Sequence, residues 1–286
     1  MAKDVDGARI AGLAAAAAAQ LPMEFDPKSA AAFFDVDNTI MRGSSLFHVA
    51  IGMARRNFFT PREVAAFAMA QARFLLRGTE NPDDVALATE SALAFVKGRR
   101  VDDIIAFGEE IFDDSMVDKL VPGTLVLAQG HVDAGRQVWL VTATPIELAQ
   151  VIAKRLGLTG ALGTVSEIDD NCYTGKLVGA PLHGQAKAEA VRALAEREGL
   201  DLEQCWAYSD SANDIPMLSD VGHPVCVNPD PKLRAHAMEH DWPIEDFRAR
   251  AHLRKMASPT AIATAGVLAA GLAVGLVASR LRKTGA

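Results

Sequence analysis

The stretch "AAFFDVDNTI", residues 31–40, runs from small and aromatic residues straight into Asp35, with Asp37 two positions later. The apolar run Ala30–Phe34 reads as a short strand buried on both faces, as parallel sheets require. Two carboxylates at the end of such a strand repel one another and raise each other's pKa. A solvated turn is the bland explanation. The alternative is a site in which a cation sits between them, and the rest of the chain bears on the choice.

Downstream of Gly123, strand and helix patterns alternate. A helix over 124–134 is followed by a strand "QVWLVTAT", a helix "PIELAQVIAKRLG", a hairpin "GTVSEIDDNCYTGKLVG" turning at Asp170-Asn171, and a helix "GQAKAEAVRALAEREG". A strand "CWAYSD", a helix "NDIPMLSDVG" and a last strand "HPVCVN" complete the series. This alternation predicts an α/β fold, a Rossmann-like, doubly wound, mostly parallel sheet. Residues 44–120 differ. Apolar residues recur there at helical spacing in about four segments separated by Pro61, Gly78, Pro82 and Gly98, which predicts an all-helical cap inserted after the first strand. The sheet domain is then 30–43 with 121–250. Residues 1–29 read as a loosely held extension with one short Ala-rich helix.

With 286 residues, 50% of them hydrophobic and 23% charged, the chain can bury a sizeable core. A net charge of −7 argues against nucleic acid as the main partner. Cys172, Cys205 and Cys226 have neither zinc spacing nor a disulfide pattern. The bulk of the protein is expected to be intracellular. From Met256 to Ser279 no residue is charged, with Arg254 and Lys255 before and Arg280, Arg282 and Lys283 after. Residues 258–280 therefore predict one C-terminal transmembrane helix, since about 20 helical residues span a hydrocarbon core. Gly266, Gly271 and Gly275 suit a membrane helix better than a soluble one. The Gly271/Gly275 spacing points to helix association and a homodimer.

Ligands of open α/β sheets bind beyond the carboxyl ends of the strands. The polar residues at those ends are Asp35, Asp37 and Thr39; Thr142 and Thr144; and Asp210, Ser211, Asn213 and Asp214. Lys187, on the intervening helix, can join them, as can Lys176 on the hairpin. Four carboxylates with a lysine fit a hard cation held by oxygen, and Mg²⁺ is the usual choice where a phosphate shares the site.

"DVDNT", "VTAT", Lys187 and "SDSANDIPM" together resemble the four motifs of the haloacid dehalogenase superfamily, subfamily IB. They are most similar to its phosphoserine-phosphatase-like (SerB-like) members, and to the actinobacterial membrane-associated type among them. The resemblance implies a Mg²⁺-dependent phosphomonoester hydrolase. Asp35 would be the nucleophile that forms an aspartyl-phosphate and Asp37 the general acid and base. Thr142 and Lys187 would bind the phosphoryl group, and Asp35, Asp37, Asp210 and Asp214 would hold the metal. The cap would choose the substrate. Phosphoserine phosphatases use an acid early in the cap, yet residues 38–62 contain no Asp or Glu. Arg42, Ser44, Ser45, His48 and Arg55 stand there instead, expected to select a small phosphorylated metabolite or a lysophospholipid. A phosphotransferase using the same intermediate and a non-catalytic membrane-tethered binding module are the alternatives. The catalytic domain is expected on the cytoplasmic side of the membrane.

Overall fold

Strand β1 (Ala31–Asp35) is buried at all five positions and lies between β2 (Gln137–Pro145) and β6 (Trp206–Ser209). Beyond β2 lies β3 (Gly160–Thr164); beyond β6 lie β7 (His223–Val227) and β8 (Ile244–Glu245). The sheet order is thus β3-β2-β1-β6-β7-β8, and every pairing is parallel. In this computed structural model the described residues are 2–18, 29–56, 93 and 96–247. From β1 the chain steps outward to β2 and β3, then returns to the other side of β1. The carboxyl end of β1 is therefore the topological switch point, where such sheets open a crevice.

Among the described residues of the sheet domain the strand and helix readings from sequence hold with small shifts of boundary. Two strands were not anticipated. One is β3, whose Gly160-Ala-Leu-Gly163-Thr carries little strand propensity. A Cβ at Gly163 would lie 2.7 Å from both Ile146 Cα and Thr144 O, so the glycine lets β3 pass close to the end of β2. The other is the two-residue β8. The hairpin forms as expected from β4 (Ser166–Asp169) and β5 (Cys172–Leu177). Asp170 (φ 45°) and Asn171 (φ 59°) are both left-handed, as a two-residue hairpin turn demands.

Helix α1 (Ala2–Ala18) corrects the expectation of a loose extension. It packs along α6 (Gln185–Glu198), the helix that carries Lys187. Ala11, Ala15 and Ala16 join the core cluster of Phe33, Trp139 and Leu194. Gly12 lets the two helices touch, because a Cβ there would lie 2.7 Å from Glu189 Cβ and 2.8 Å from Ala190 N. Arg197 donates to the Ala16 carbonyl, and Gln150 donates to that of Ala18 at 3.0 Å. Alanine-rich faces signal close packing only when the partner is known, and no partner is legible from residues 1–29 alone.

Of the expected cap, α2 (Ser45–Arg55) and α3 (Val101–Ile111) are described; residues 57–92 lie outside the described residues. α3 packs on α5 (Ile146–Arg155) of the sheet domain, with Gly108 facing Leu148. The two segments that join cap to sheet are paired with each other. Arg42 N donates to Lys119 O at 2.8 Å, and Val121 N donates to Ile40 O at 2.8 Å. Helices α4 (Pro122–Asp133), α7 (Ile215–Ser219) and α8 (Pro231–Glu239) complete the sheet domain. Among the described residues no helix is long and apolar enough to cross a membrane, and the span expected at 258–280 lies outside them.

Candidate active site

Asp35 ends β1 in register with Val141, one residue short of Thr142 on β2. On the other side Phe34 pairs with Tyr208, so Ser209 and Asp210 emerge beside Asp35. Parallel register alone thus brings the three polar strand ends together. A tight loop follows, in which the N–H groups of Thr39, Ile40 and Met41 all donate to the Val36 carbonyl at 3.3, 3.0 and 3.0 Å. Asn38 takes the left-handed conformation (φ 60°) that this bend needs, and its Oδ1 accepts from Gly43 N at 3.0 Å. The loop returns Asp37 to the crevice, half-buried.

Lys187 reaches the same point from α6. Its Nζ donates to Asp35 Oδ1 at 2.5 Å and to Asp214 Oδ2 at 2.7 Å. Asp35 is 4% exposed, Lys187 4% and Asp214 2%. Ser209 Oγ donates to the same Asp214 oxygen at 2.7 Å. Lys176 is exposed on β5 beside Glu167, so Lys187 is the site lysine. Burial pushes the Asp35 carboxyl up to about 8, with Asp214 and Asp37 adding to the rise and Lys187 only partly offsetting it. Burial also works against the Lys187 ammonium, but Asp214 and Asp35 outweigh it and raise its pKa. One buried ammonium against two buried carboxylates leaves the site short of positive charge.

That deficit is what a cation would fill. Among the described residues no three His, Cys, Asp or Glu side chains form a ready-made cage. The residues that would offer oxygens to a cation are Asp35 and Asp210 through their carboxylates and Asp37 through its carbonyl. That set suits Mg²⁺, which binds through one or two carboxylates, keeps several waters and shares substrate phosphate oxygens. Asp214 is held by Lys187 and Ser209.

Thr142 is buried, and its Oγ1 donates to Thr144 Oγ1 at 3.2 Å. Thr144 was collected from the sequence with Thr142 but given no role, and Ser209 was not singled out. The signal for Thr144 was its period-2 spacing from Thr142, which puts both on one face of β2. The cap residues divide. Ser45 is fully buried and bonded to Asp37 Oδ1 through its N (2.8 Å) and Oγ (2.5 Å). Arg42 and Ser44 are exposed, and Ser44 caps α2 by accepting from Phe47 N. His48 Nε2 bonds to the Arg42 carbonyl at 3.0 Å, a packing role. Arg55 is exposed in the last turn of α2, roughly 15 Å along the helix from Ser45, and does not join the site.

A buried strand-end carboxylate, a second one two residues on, a lysine from a later helix and acids after the next strand define a hydrolase of one known kind. The chain matches the haloacid dehalogenase-like hydrolase family over residues 32–219. It is 55% identical over 252 residues to a Mycobacterium tuberculosis protein named phosphoserine phosphatase SerB1, covering 88% of this chain and 81% of that one. It is also 55% identical over 244 residues to a putative hydrolase of Mycobacterium leprae, covering 85% and 81%. A solved Bordetella pertussis protein of unknown function superposes with a TM-score of 0.68 at 28% identity, covering 77% of this chain and 99% of that one. The chain belongs to the haloacid dehalogenase-like hydrolases and is an enzyme of their phosphatase type.

Proposed function

We propose that the protein is a Mg²⁺-dependent phosphomonoesterase that works through an aspartyl-phosphate on Asp35. The observation that carries this reading is the buried Lys187 ammonium shared by Asp35 and Asp214, with Asp37 beside them. An ammonium there holds Asp35 in place and offers charge to a phosphoryl oxygen. An oxygen of Asp35 attacks phosphorus as the ester P–O bond breaks. The bond's electron pair stays with the departing oxygen, which takes a proton from Asp37. Asp37, now a carboxylate, takes a proton from water. The resulting hydroxide oxygen attacks phosphorus, releases phosphate and restores Asp35. Thr142 and Lys187 hold phosphoryl oxygens throughout. Asp35, Asp210 and the Asp37 carbonyl would hold Mg²⁺, which when bound supplies charge neutralisation between nucleophile and phosphate.

The substrate is a small phosphorylated metabolite, phosphoserine-like, or a lysophospholipid. The exposed face at the start of α2 carries Arg42, Leu46 and Phe47, which suits a second anionic group or an apolar tail. The reading includes a tether through 258–280, helix pairing through Gly271 and Gly275, and a cytoplasmic catalytic domain. The test is phosphate release by the full chain in detergent, with Mg²⁺ or EDTA. The panel is phosphoserine, sugar phosphates, glycerol phosphate and lysophosphatidate. Turnover lost in EDTA and in Asp35→Asn supports the mechanism; turnover that survives Asp35→Asn refutes it. Membrane fractionation of the full chain against one ending at Met256 tests the tether, which fails if both are found in the soluble fraction.

A further inference from the structure

The geometry points to Ser45 as a positioning residue for Asp37, an inference that rests on the phosphatase reading above. Ser45 opens the first cap helix, and it is fully buried while its neighbours Ser44 and Leu46 are exposed. Its N–H and its Oγ–H both fall on one oxygen, Asp37 Oδ1, at 2.8 and 2.5 Å. A serine has a single hydroxyl proton. With that proton given to the carboxylate, the 2.5 Å contact between Ser45 Oγ and Thr144 Oγ1 must be one in which Thr144 donates. Thr144 in turn accepts from Thr142 Oγ1 at 3.2 Å, and its own N–H donates back to Thr142 Oγ1 at 3.2 Å. Without a bound phosphoryl group the hydroxyls therefore form a one-way chain, Thr142 to Thr144 to Ser45 to Asp37; a phosphoryl oxygen would take the Thr142 proton and leave the part from Thr144 to Asp37 as it is.

Two consequences follow for the acid. Oδ1 of Asp37 is filled by two donors, so a proton on the carboxyl rides on Oδ2. When Oδ2–H gives its proton to the departing ester oxygen, the electron pair of the broken O–H bond stays on Asp37. Ser45 stabilises the carboxylate so formed with two hydrogen bonds, one of them from the first turn of a helix, where backbone N–H groups favour negative charge. The same bonds fix the rotamer of the Asp37 carboxyl. The cap thus supplies a working part of the catalytic loop as well as a cover. Ser45 is set apart from the exposed residues expected to read the substrate.

The test compares two substrates in the full-chain protein with Mg²⁺. An alkyl phosphate needs its leaving oxygen protonated; p-nitrophenyl phosphate releases a phenolate that does not. The value of kcat/KM reports steps up to loss of the alcohol. Ser45→Ala is expected to lose about 10–100-fold on the alkyl ester and under about 3-fold on the nitrophenyl ester. Ser45→Thr, which keeps the hydroxyl, restores most of the alkyl activity. Equal losses on both substrates, or none on either, overturn the proposal. A second measurement needs no turnover. Ser45→Ala lowers the urea midpoint in the parent protein and lowers it less in an Asp37→Ala background, where only the bond to Thr144 is lost. A shift of the same size in both backgrounds overturns the proposal. Nitrophenyl turnover that survives Asp35→Asn would instead remove the phosphatase reading, with the midpoint comparison still deciding the Ser45–Asp37 link.

Discussion

Replacing Lys187 with methionine isolates what its ammonium does, because methionine keeps most of the stem and removes the charge. In the parent protein that charge makes two short bonds in a site closed to solvent, to Asp35 and to Asp214. Its loss leaves two buried carboxylates facing one another with only Ser209 donating to Asp214. Breaking a buried pair by removing one partner costs about 3–5 kcal/mol. In EDTA at pH 7.5, Lys187→Met is therefore expected to lower the urea midpoint by roughly 1–2 M, taking an ordinary urea dependence for a domain of this size. Protonation relieves the strain. A carboxyl whose folded pKa lies above its unfolded value gives stability that is full below the unfolded value and lost as pH rises. Because the parent Asp35 carboxyl is already raised to about 8, the deficit should grow as pH rises from 7 toward 9 and change little below 7. Asp35→Asn in the same chain should recover at least about 2 kcal/mol of it, a coupling typical of contacting charges. A midpoint shift below about 0.4 M, insensitive to pH and to Asp35→Asn, would show that Lys187 is not the charge that balances this site.

Asp35→Asn alone should abolish turnover while holding or raising thermal stability in EDTA, by about 2–4 °C per kcal/mol gained, since it removes one of two buried carboxylates competing for one ammonium. A thermal scan showing a fall of more than about 4 °C would contradict the charge balance described. His131 on α4 donates through Nε2 to Tyr208 Oη (2.8 Å) and accepts at Nδ1 from Arg136 (3.3 Å), and burial followed by Arg136 lowers its pKa from 6.5 to about 4. Below pH 6.5 the unfolded chain takes a proton that the folded chain refuses, so stability is full above that value and falls toward pH 4. The loss is about 1–2 kcal/mol after solvent screening, and His131→Gln should flatten that part of the pH profile in urea titrations. Gly12→Val should cost about 1–3 kcal/mol by pushing α1 off α6, read as a lower thermal midpoint and faster proteolysis of residues 2–18; an unchanged midpoint would mean the close approach is not needed.

Much of the site was legible because its residues follow apolar runs. Asp35 and Asp210 sit where a buried strand stops and Thr142 just past the last pairing of β2 with β1, and parallel register then aligns them without further information. Lys187 could be offered for the site but not chosen over Lys176 without the resemblance, since nothing in "GQAKAEAV" separates a buried lysine from a solvated one. Ser45 was misread for a related reason. Next to Ser44 it looked like part of a polar helix start, and its burial is decided by how the cap's first turn leans on Thr144. Among the described residues the order of strands and helices was read from the sequence, but β3, β8 and the packing of α1 were not. β3 and the α1 packing depend on glycines allowing close approach to backbone that is distant in sequence, and such contacts leave no periodicity. Of the residues expected to hold the metal, Asp214 is bonded to Lys187 and Ser209.

The paired crossings between cap and sheet domain make the insertion a detachable unit. The chain departs at Ile40 and comes back at Val121 within one hydrogen bond, 2.8 Å, of where it left. Whatever lies between the two crossings can be lengthened, shortened or exchanged without altering the distance the sheet must span. Evolution and engineering can then vary the preferred ester while the sheet domain stays as it is. The exchange has one condition. A transplanted cap must bring a hydroxyl to the position of Ser45, or the borrowed specificity arrives with a weakened acid.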